Sequence, residues 1–136
     1  MSEAILTLVR QFVEMYNERA WERLGDVLAP DYVHHSNADA LTADQFVRGA
    51  EWIMRGIPDF RIEVLDVVAD GDRAAVRFVG TGTHAGSMFG ESPSSRPLAL
   101  YGITVFRSQD GRIVEDWEVM DEGDLRRQVG ATPASA

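Results

Sequence analysis

The N-terminal third of the chain has the apolar period of α-helices. A first helix with Ser2 as its N-cap is predicted from apolar residues that recur every three or four positions; these residues are Ile5, Leu8, Val9, Phe12 and Tyr16. A short second helix is predicted at residues 21–28, before a brief β-like segment at residues 32–35 and a polar loop at residues 36–40. Residues 42–45, Thr-Ala-Asp-Gln, have the form of a capping box and predict the start of a third helix.

From Phe60 onward apolar and polar residues alternate, which is the period of strands that bury one face. Four strands are predicted, the first from Phe60 to a turn at residues 70–72 and the others at residues 73–84, 98–107 and 113–120. A loop rich in glycine and serine follows the second strand, and Gln109-Asp110-Gly111 predicts a hairpin between the last two. A short final helix is predicted between Asp121, as its N-cap, and Gly130.

This order predicts an α+β fold in which three N-terminal helices pack on one face of a curved antiparallel or mixed sheet. The bent sheet and the helices that close over it would form a cone, whose mouth is a natural site for a small molecule. Residues 1–130 are expected to form a single domain, because no repeat or boundary interrupts them, and residues 131–136 are expected to form a flexible tail.

Composition removes several classes of function. The 136 residues include no cysteine, which excludes a disulfide framework, a thiol nucleophile and a thiolate metal site. With 13 basic and 22 acidic residues, the net charge of −9 argues against nucleic acid and against an anionic membrane surface as partners. No apolar stretch has the length of a membrane span, and the N-terminus lacks the pattern of a signal peptide, so we expect a cytoplasmic protein.

The C-terminal hairpin contains the most informative polar residues. A three-residue loop at residues 109–111 places Thr104 on the same face as Asp116 and Glu118, whereas a two-residue turn places Thr104 opposite Trp117. If Glu118 points into the cone, the loss of water around its carboxylate raises its pKa, which suits a general acid or base near neutral pH. The alternative is that the carboxylates of this strand form a solvated surface.

The three histidines give weaker signals. His34 and His35 alternate along an extended segment, so only one of them can face the pocket, where it would orient a ligand, relay a proton or belong to the core. With His84 they lack the spacing of metal ligands, and no metal is expected. Tyr16 is either a core residue or a hydrogen-bond donor to a substrate carbonyl.

The chain resembles the SnoaL-like polyketide cyclase family, which has the NTF2-like fold, over nearly its whole length. The resemblance rests on five segments together with Trp117 and Asp121; the segments are residues 12–16, 28–34, 82–86, 110–113 and 125–130. It implies an α+β cone, a homodimer that packs through the sheet, and a cavity that needs no metal or organic cofactor.

The resemblance also implies roles for individual residues. The strand carboxylate that acts as acid and base in the family's aldol cyclisation falls on Glu118, with a side chain one methylene longer than the family's aspartate. The family's histidine on the preceding strand falls on Thr104, which donates a hydrogen bond but does not titrate near neutrality. Tyr16 falls where the family places an aromatic residue against the ligand.

From these observations we expect a cofactor-independent cyclase or isomerase that acts on a small, apolar carbonyl compound. Glu118, His34 and Tyr16 are the candidate catalytic residues. The candidate substrate-contacting residues are Tyr32, Trp52, Phe60, His84, Met88, Thr104 and Asp116. The alternatives are an enzyme that adds or removes water, such as an epoxide hydrolase or a dehydratase, and a non-catalytic dimeric module that binds a small ligand.

Overall fold

The computed structural model describes residues 2–130. The helices are α1 (Glu3–Glu18), α2 (Leu24–Val27, after a 3₁₀ turn at Trp21–Arg23), α3 (Ala43–Gly56) and α4 (Glu122–Gln128). The strands are β1 (Leu28–Ser36), β2 (Asp39–Leu41), β3 (Arg61–Asp70), β4 (Arg73–Thr83), β5 (Pro97–Gln109) and β6 (Arg112–Met120). The predicted tail at residues 131–136 lies outside the described residues.

The six strands form one mixed sheet in the order β2-β1-β6-β5-β4-β3. β1 and β6 are parallel, and the other neighbouring strands are antiparallel. The sheet curves around α1 and α3, which pack on its concave face. The α+β class and the curved mixed sheet expected from the sequence are therefore confirmed.

The region around β1 differs from the prediction. β1 begins at Leu28, and β2 occupies part of the segment expected to be a polar loop. β1 and β2 are joined by a tight turn in which Asn37 has a φ of 56°, a conformation that asparagine tolerates better than most residues. The extra strand length depends on hydrogen bonds to β6 and β2, which a local sequence pattern does not contain.

Two of the three predicted N-caps are confirmed. The side chains and backbone of Thr42 and Gln45 form both hydrogen bonds of the capping box at the start of α3, and the Asp121 carboxylate accepts from the Asp124 N–H at 3.0 Å. Ser2 makes no side-chain cap hydrogen bond. Its backbone is helical, with φ −91° and ψ −1°, whereas a capping side chain requires an extended backbone.

The β5–β6 hairpin combines the shorter of the two loops considered from the sequence with the Thr104 face expected from the longer one. The turn contains two residues, Asp110 and Gly111, both with positive φ, and Ser108 lies opposite Ile113. A bulge between Arg107 and Ser108 then shifts the register by one residue, so that Thr104 lies opposite Glu118. Both side chains therefore project from the concave face of the sheet.

The core lies between the helices and the concave face. Aromatic rings of α1, α3 and the sheet are in contact within it; they include Phe12, Tyr16, Phe46, Phe60 and Phe106. Gly80 of β4 permits one of these contacts, because a Cβ at this position would lie 2.1 Å from Cζ of Phe60. Gly80 therefore lets an aromatic ring lie against the backbone of β4. No helix among residues 2–130 is long and apolar enough to cross a membrane.

Candidate active site

A cavity of about 250 Å³ lies between the helices and the concave face of the sheet. Its walls are mainly apolar and include eight aromatic side chains, those of Phe12, Tyr16, Phe46, Trp52, Phe60, Phe78, Phe89 and Phe106. The polar groups that reach the cavity include His34 of β1, Thr104 of β5 and Glu118 of β6. A site with apolar walls and a few convergent polar groups is typical of a pocket for a small molecule.

Glu118 provides a mostly buried carboxylate at this cavity. Thr104 Oγ1 donates a hydrogen bond to Glu118 Oε2 at 2.9 Å, and His34 Nε2 lies 3.7 Å from Glu118 Oε1. Burial raises the pKa of Glu118 above its ordinary value, and the negative charge of Asp116 adds to the increase, against the opposing effects of His34 and Thr104. The direction expected from the sequence is therefore found in the structure.

His34, rather than His35, faces the cavity. Its Nδ1 lies 2.5 Å from Asp116 Oδ1, and the hydroxyl of Tyr32 donates to Asp116 Oδ2. Burial lowers the pKa of His34, but the hydrogen bond to Asp116 and the charges of Asp116 and Glu118 outweigh it and hold this pKa above its ordinary value. The imidazole therefore presents a titratable Nε2 next to Glu118.

His35 lies on the opposite face of the sheet. Its Nε2 is 2.6 Å from Glu115 Oε2, and its ring stacks on Trp117 with centroids 5.3 Å apart. Glu115 is thus separated from Glu118, as the alternation of strand residues requires.

Tyr16 of α1 reaches the same cavity from the helical side. Burial raises the pKa of its hydroxyl, and the nearby charge of Glu118 raises it further. Tyr16 therefore stays neutral at physiological pH and can donate a hydrogen bond to a ligand oxygen.

The other candidate residues fall into two groups. Trp52, Phe60 and Thr104 line the cavity, as expected. Tyr32 and Asp116 do not reach it, because they lie behind His34 and are hydrogen bonded to each other.

His84 and Met88 were also expected to contact substrate, and the structure places neither of them at the cavity. His84 is fully buried beneath the loop at residues 85–96, with its Nδ1 2.9 Å from Ser94 Oγ. Met88 packs on the end of α3, where it occupies the space that a side chain at Gly56 would fill. Both residues serve the packing of this loop.

Sequence analysis did not predict Phe89 and Glu122, which line the cavity at its mouth, or Arg126, which contacts both of them. The ring of Phe89 contacts Trp52 edge to face, with centroids 5.1 Å apart, and the guanidinium of Arg126 lies 4.1 Å from the Phe89 centroid. Glu122 also lines the cavity and forms an ion pair with Arg126 at 3.5 Å. Phe89 is the single aromatic residue of a loop without apolar periodicity, and this is the only signal that pointed to it.

The site thus combines two titratable side chains, His34 and Glu118, with two neutral donors, Tyr16 and Thr104. Such a set can remove a proton from one atom of a ligand and stabilise negative charge on another. Among residues 2–130, no three histidine, aspartate or glutamate side chains are grouped so that they could hold a metal ion.

Comparison with known proteins agrees with this architecture. The model of a family described as SnoaL-like polyketide cyclase matches residues 6–129, which confirms the resemblance found in the sequence. No curated protein sequence matches the chain significantly.

Three solved structures from Streptomyces are similar to the whole fold. AclR from Streptomyces galilaeus, described as a proposed hydroxylase, is 26% identical with a TM-score of 0.88, over 100% of this chain and 87% of AclR. IdmH from Streptomyces antibioticus, a proposed polyketide cyclase, is 28% identical with a TM-score of 0.84, over 92% of this chain and 97% of IdmH. TsrD from Streptomyces laurentii is 27% identical with a TM-score of 0.81, over 95% of this chain and 96% of TsrD.

Proposed function

The chain belongs to the SnoaL-like polyketide cyclase family, and we propose that it is a cofactor-independent acid/base enzyme. Its substrate is a small, apolar carbonyl compound of polyketide type, which it cyclises by an intramolecular aldol reaction or isomerises. The similarity to IdmH, a proposed polyketide cyclase, supports the substrate class. The apolar walls of the cavity support it as well.

The observation that carries the proposal is the position of Glu118. Its carboxylate lies at an apolar cavity, accepts a hydrogen bond from Thr104 and has a raised pKa. A carboxylate in water is a weak base, whereas one with a raised pKa is better matched to removing a proton near neutral pH. Thr104 supports this role by fixing the orientation of one carboxylate oxygen.

In the proposed reaction Glu118 removes a proton from the carbon next to a substrate carbonyl. The electrons of the broken C–H bond form an enolate, whose oxygen accepts a hydrogen bond from Tyr16 or His34. In cyclisation the enolate carbon attacks a second carbonyl of the same molecule, a C–C bond forms, and the resulting alkoxide takes up a proton. In isomerisation the proton returns to a different carbon.

The first prediction isolates proton removal with a simple ketone. The bicyclic aromatic ketone 1-tetralone should exchange the protons next to its carbonyl for deuterium when it is incubated with the protein in D₂O. Glu118→Gln should slow this exchange by at least about 100-fold, the contribution expected of a positioned general base. Proton NMR of the ketone measures the rate.

The control for this experiment lies on the same strand. Glu115→Gln changes a carboxylate on the other face of β6 and should leave the exchange rate unchanged. The thermal midpoint of Glu118→Gln should stay close to that of the wild type or exceed it. Exchange by Glu118→Gln at the wild-type rate would remove Glu118 from the mechanism.

Two other functions compete with this proposal. The presence of two titratable groups at one cavity supports a reaction that activates water. Such a reaction would place labelled oxygen from water in the product, whereas aldol closure and isomerisation would not. The other competitor is a non-catalytic dimeric module that binds a small ligand; the carboxylate with a raised pKa at the cavity supports an enzyme instead.

A further inference from the structure

Behind the cavity, three buried side chains form one hydrogen-bonded chain. The Tyr32 hydroxyl and the His34 Nδ1 each bond to a different oxygen of Asp116. The exposed fractions of the three residues are 3% for Tyr32, 4% for His34 and 1% for Asp116. Of the three, only His34 reaches the cavity.

The position of this chain follows from the parallel pairing of β1 and β6. His34 lies directly opposite Asp116 in the sheet, and Tyr32 lies two residues earlier on the same face of β1. A buried carboxylate is unfavourable unless both of its oxygens are satisfied, and here each oxygen has its own donor. Neither Tyr32 nor Asp116 lines the cavity, so these two residues can influence a ligand only through the imidazole of His34.

The hydrogen bonds determine which nitrogen of His34 carries the proton. An ionised carboxylate only accepts, so Nδ1 must be the donor to Asp116. The nitrogen that gains and loses a proton is then Nε2, which lies 3.7 Å from Glu118 Oε1 at the cavity. Among the described residues, the charged groups that face His34 are Asp116 and Glu118; α3 contributes the uncharged ring of Phe46 and β2 pairs through Leu41.

We propose that Tyr32 and Asp116 are positioning residues that hold His34 in the Nδ1–H form, so that Nε2 is its only proton-exchanging atom. The consequence for catalysis rests on the proposed function. Protonated Nε2 delivers its proton to the alkoxide that forms on ring closure, while Glu118 holds the proton taken from carbon. Transfer of that proton from Glu118 to Nε2 then restores both groups, and no proton is gained or lost overall.

The experiment is a nitrogen-15 NMR titration of the imidazole groups in the full-length protein. The chain contains three histidines, and the signals of His34 are identified by their loss in His34→Gln. As pH rises, we expect Nε2 of His34 to lose its proton while Nδ1 keeps one. A wild-type protein in which Nδ1 loses the proton would overturn the proposal without any further variant.

Two variants test the positioning residues themselves. Tyr32→Phe should keep the Nδ1–H form but slow deuterium exchange of 1-tetralone by roughly 10-fold, as expected when support for a functional side chain is lost. The double variant Tyr32→Phe/Asp116→Leu removes the carboxylate that accepts from His34 Nδ1. It also removes the Tyr32 hydroxyl, which would otherwise be buried without a partner. In this double variant the neutral form of His34 should carry its proton on Nε2. Deuterium exchange of 1-tetralone should then fall by at least about 100-fold.

Matched controls separate positioning from general damage. Tyr101→Phe on the outer face of the sheet and Asp31→Asn on β1 change exposed residues of the same two types. Both should leave the form of His34 and the exchange rate unchanged. If the double variant retains Nδ1–H, Asp116 does not set the form of His34, and if Tyr32→Phe exchanges at the wild-type rate, Tyr32 has no positioning role.

The two proposals fail in different ways. If wild-type protein does not exchange 1-tetralone but His34 titrates at Nε2, the proposed function fails and the positioning remains. If exchange depends on Glu118 but His34 titrates at Nδ1, only the positioning fails.

Discussion

Glu118 and His34 each hold a proton more tightly in the folded protein than in the unfolded chain. Burial is the main cause for Glu118, whereas for His34 the bond to Asp116 and the charges of Asp116 and Glu118 overcome burial. The two groups are 3.7 Å apart, so each affects the ionisation of the other. Two titratable groups at this distance can exchange a proton, which is the property that an acid/base reaction requires.

These raised pKa values predict how stability depends on pH. A group with a raised pKa contributes stability that is complete below its unfolded pKa and is lost as pH rises through its folded pKa. For Glu118 this loss begins near 4.5, and for His34 it begins near 6.5. The free energy of unfolding should therefore fall as pH rises above about 4.5, and fall further above about 6.5. It should fall less in Glu118→Gln, because this variant lacks one titrating group and the negative charge that supports protonated His34.

Urea unfolding of both proteins at three pH values measures this difference. The control is Glu63→Gln, which changes an exposed carboxylate of β3 and should follow the wild-type profile. Asp59 and Glu115 have lowered pKa values and change stability only at more acidic pH, so they do not obscure the effect. Parallel profiles for wild type and Glu118→Gln would contradict the assignment.

At the residue scale, alternation along β6 was enough to place Asp116 and Glu118 on one face and Glu115 on the other. It could not decide between His34 and His35, because that choice depends on the register of β1 against β6. For the same reason Asp116 was predicted to contact substrate, whereas in the structure it is hydrogen bonded to His34. The two residues are 82 positions apart, and no local pattern records their pairing.

At the scale of elements, the bulge in the β5–β6 hairpin decides the geometry of the site. The two-residue turn alone would place Thr104 opposite Trp117, on the outer face. The shift between Arg107 and Ser108 restores the pairing with Glu118. Neither loop considered from the sequence describes this geometry alone, because turn residues indicate where a hairpin lies but do not reveal a compensating bulge.

Gly80 gives a prediction at the same scale. In Gly80→Ala the new Cβ would lie 2.1 Å from Phe60 Cζ and 2.5 Å from Cε1, so the ring must move toward the cavity that it lines. We expect a loss of about 1–3 kcal/mol in the free energy of unfolding, as for other overpacked cores, and weaker binding of 1-tetralone.

Urea unfolding and a fluorescence titration with 1-tetralone measure the two effects of Gly80→Ala. Gly25→Ala is the matched control, because nothing lies within 4 Å of its Cβ and the substitution should be tolerated. Wild-type stability and binding in Gly80→Ala would show that Phe60 moves freely and does not shape the cavity.

At the scale of the molecule, the two faces of the sheet differ in the side chains that they carry. The concave face carries Glu118 and the cavity, and the outer face carries a cluster of exposed apolar side chains at Tyr101, Ile103 and Val119. These three residues are 52%, 50% and 69% exposed, and Ile103 lies directly opposite Val119. Contiguous apolar surface of this kind is a mark of an interface.

The last prediction is that two copies of the chain associate through this outer face. Tyr101, Ile103 and Val119 lie near the middle of a broad sheet, and none of the helices that the structure describes packs over that face, so a second sheet can meet it. Ile103→Lys should shift the protein from dimer to monomer in analytical ultracentrifugation, whereas Leu6→Lys, at a half-exposed apolar position on α1, should remain dimeric. Because Ile103 points away from the cavity, the monomer should still exchange 1-tetralone. A wild-type protein that sediments as a monomer would contradict the interface, and a monomeric variant without exchange would show that the site depends on assembly.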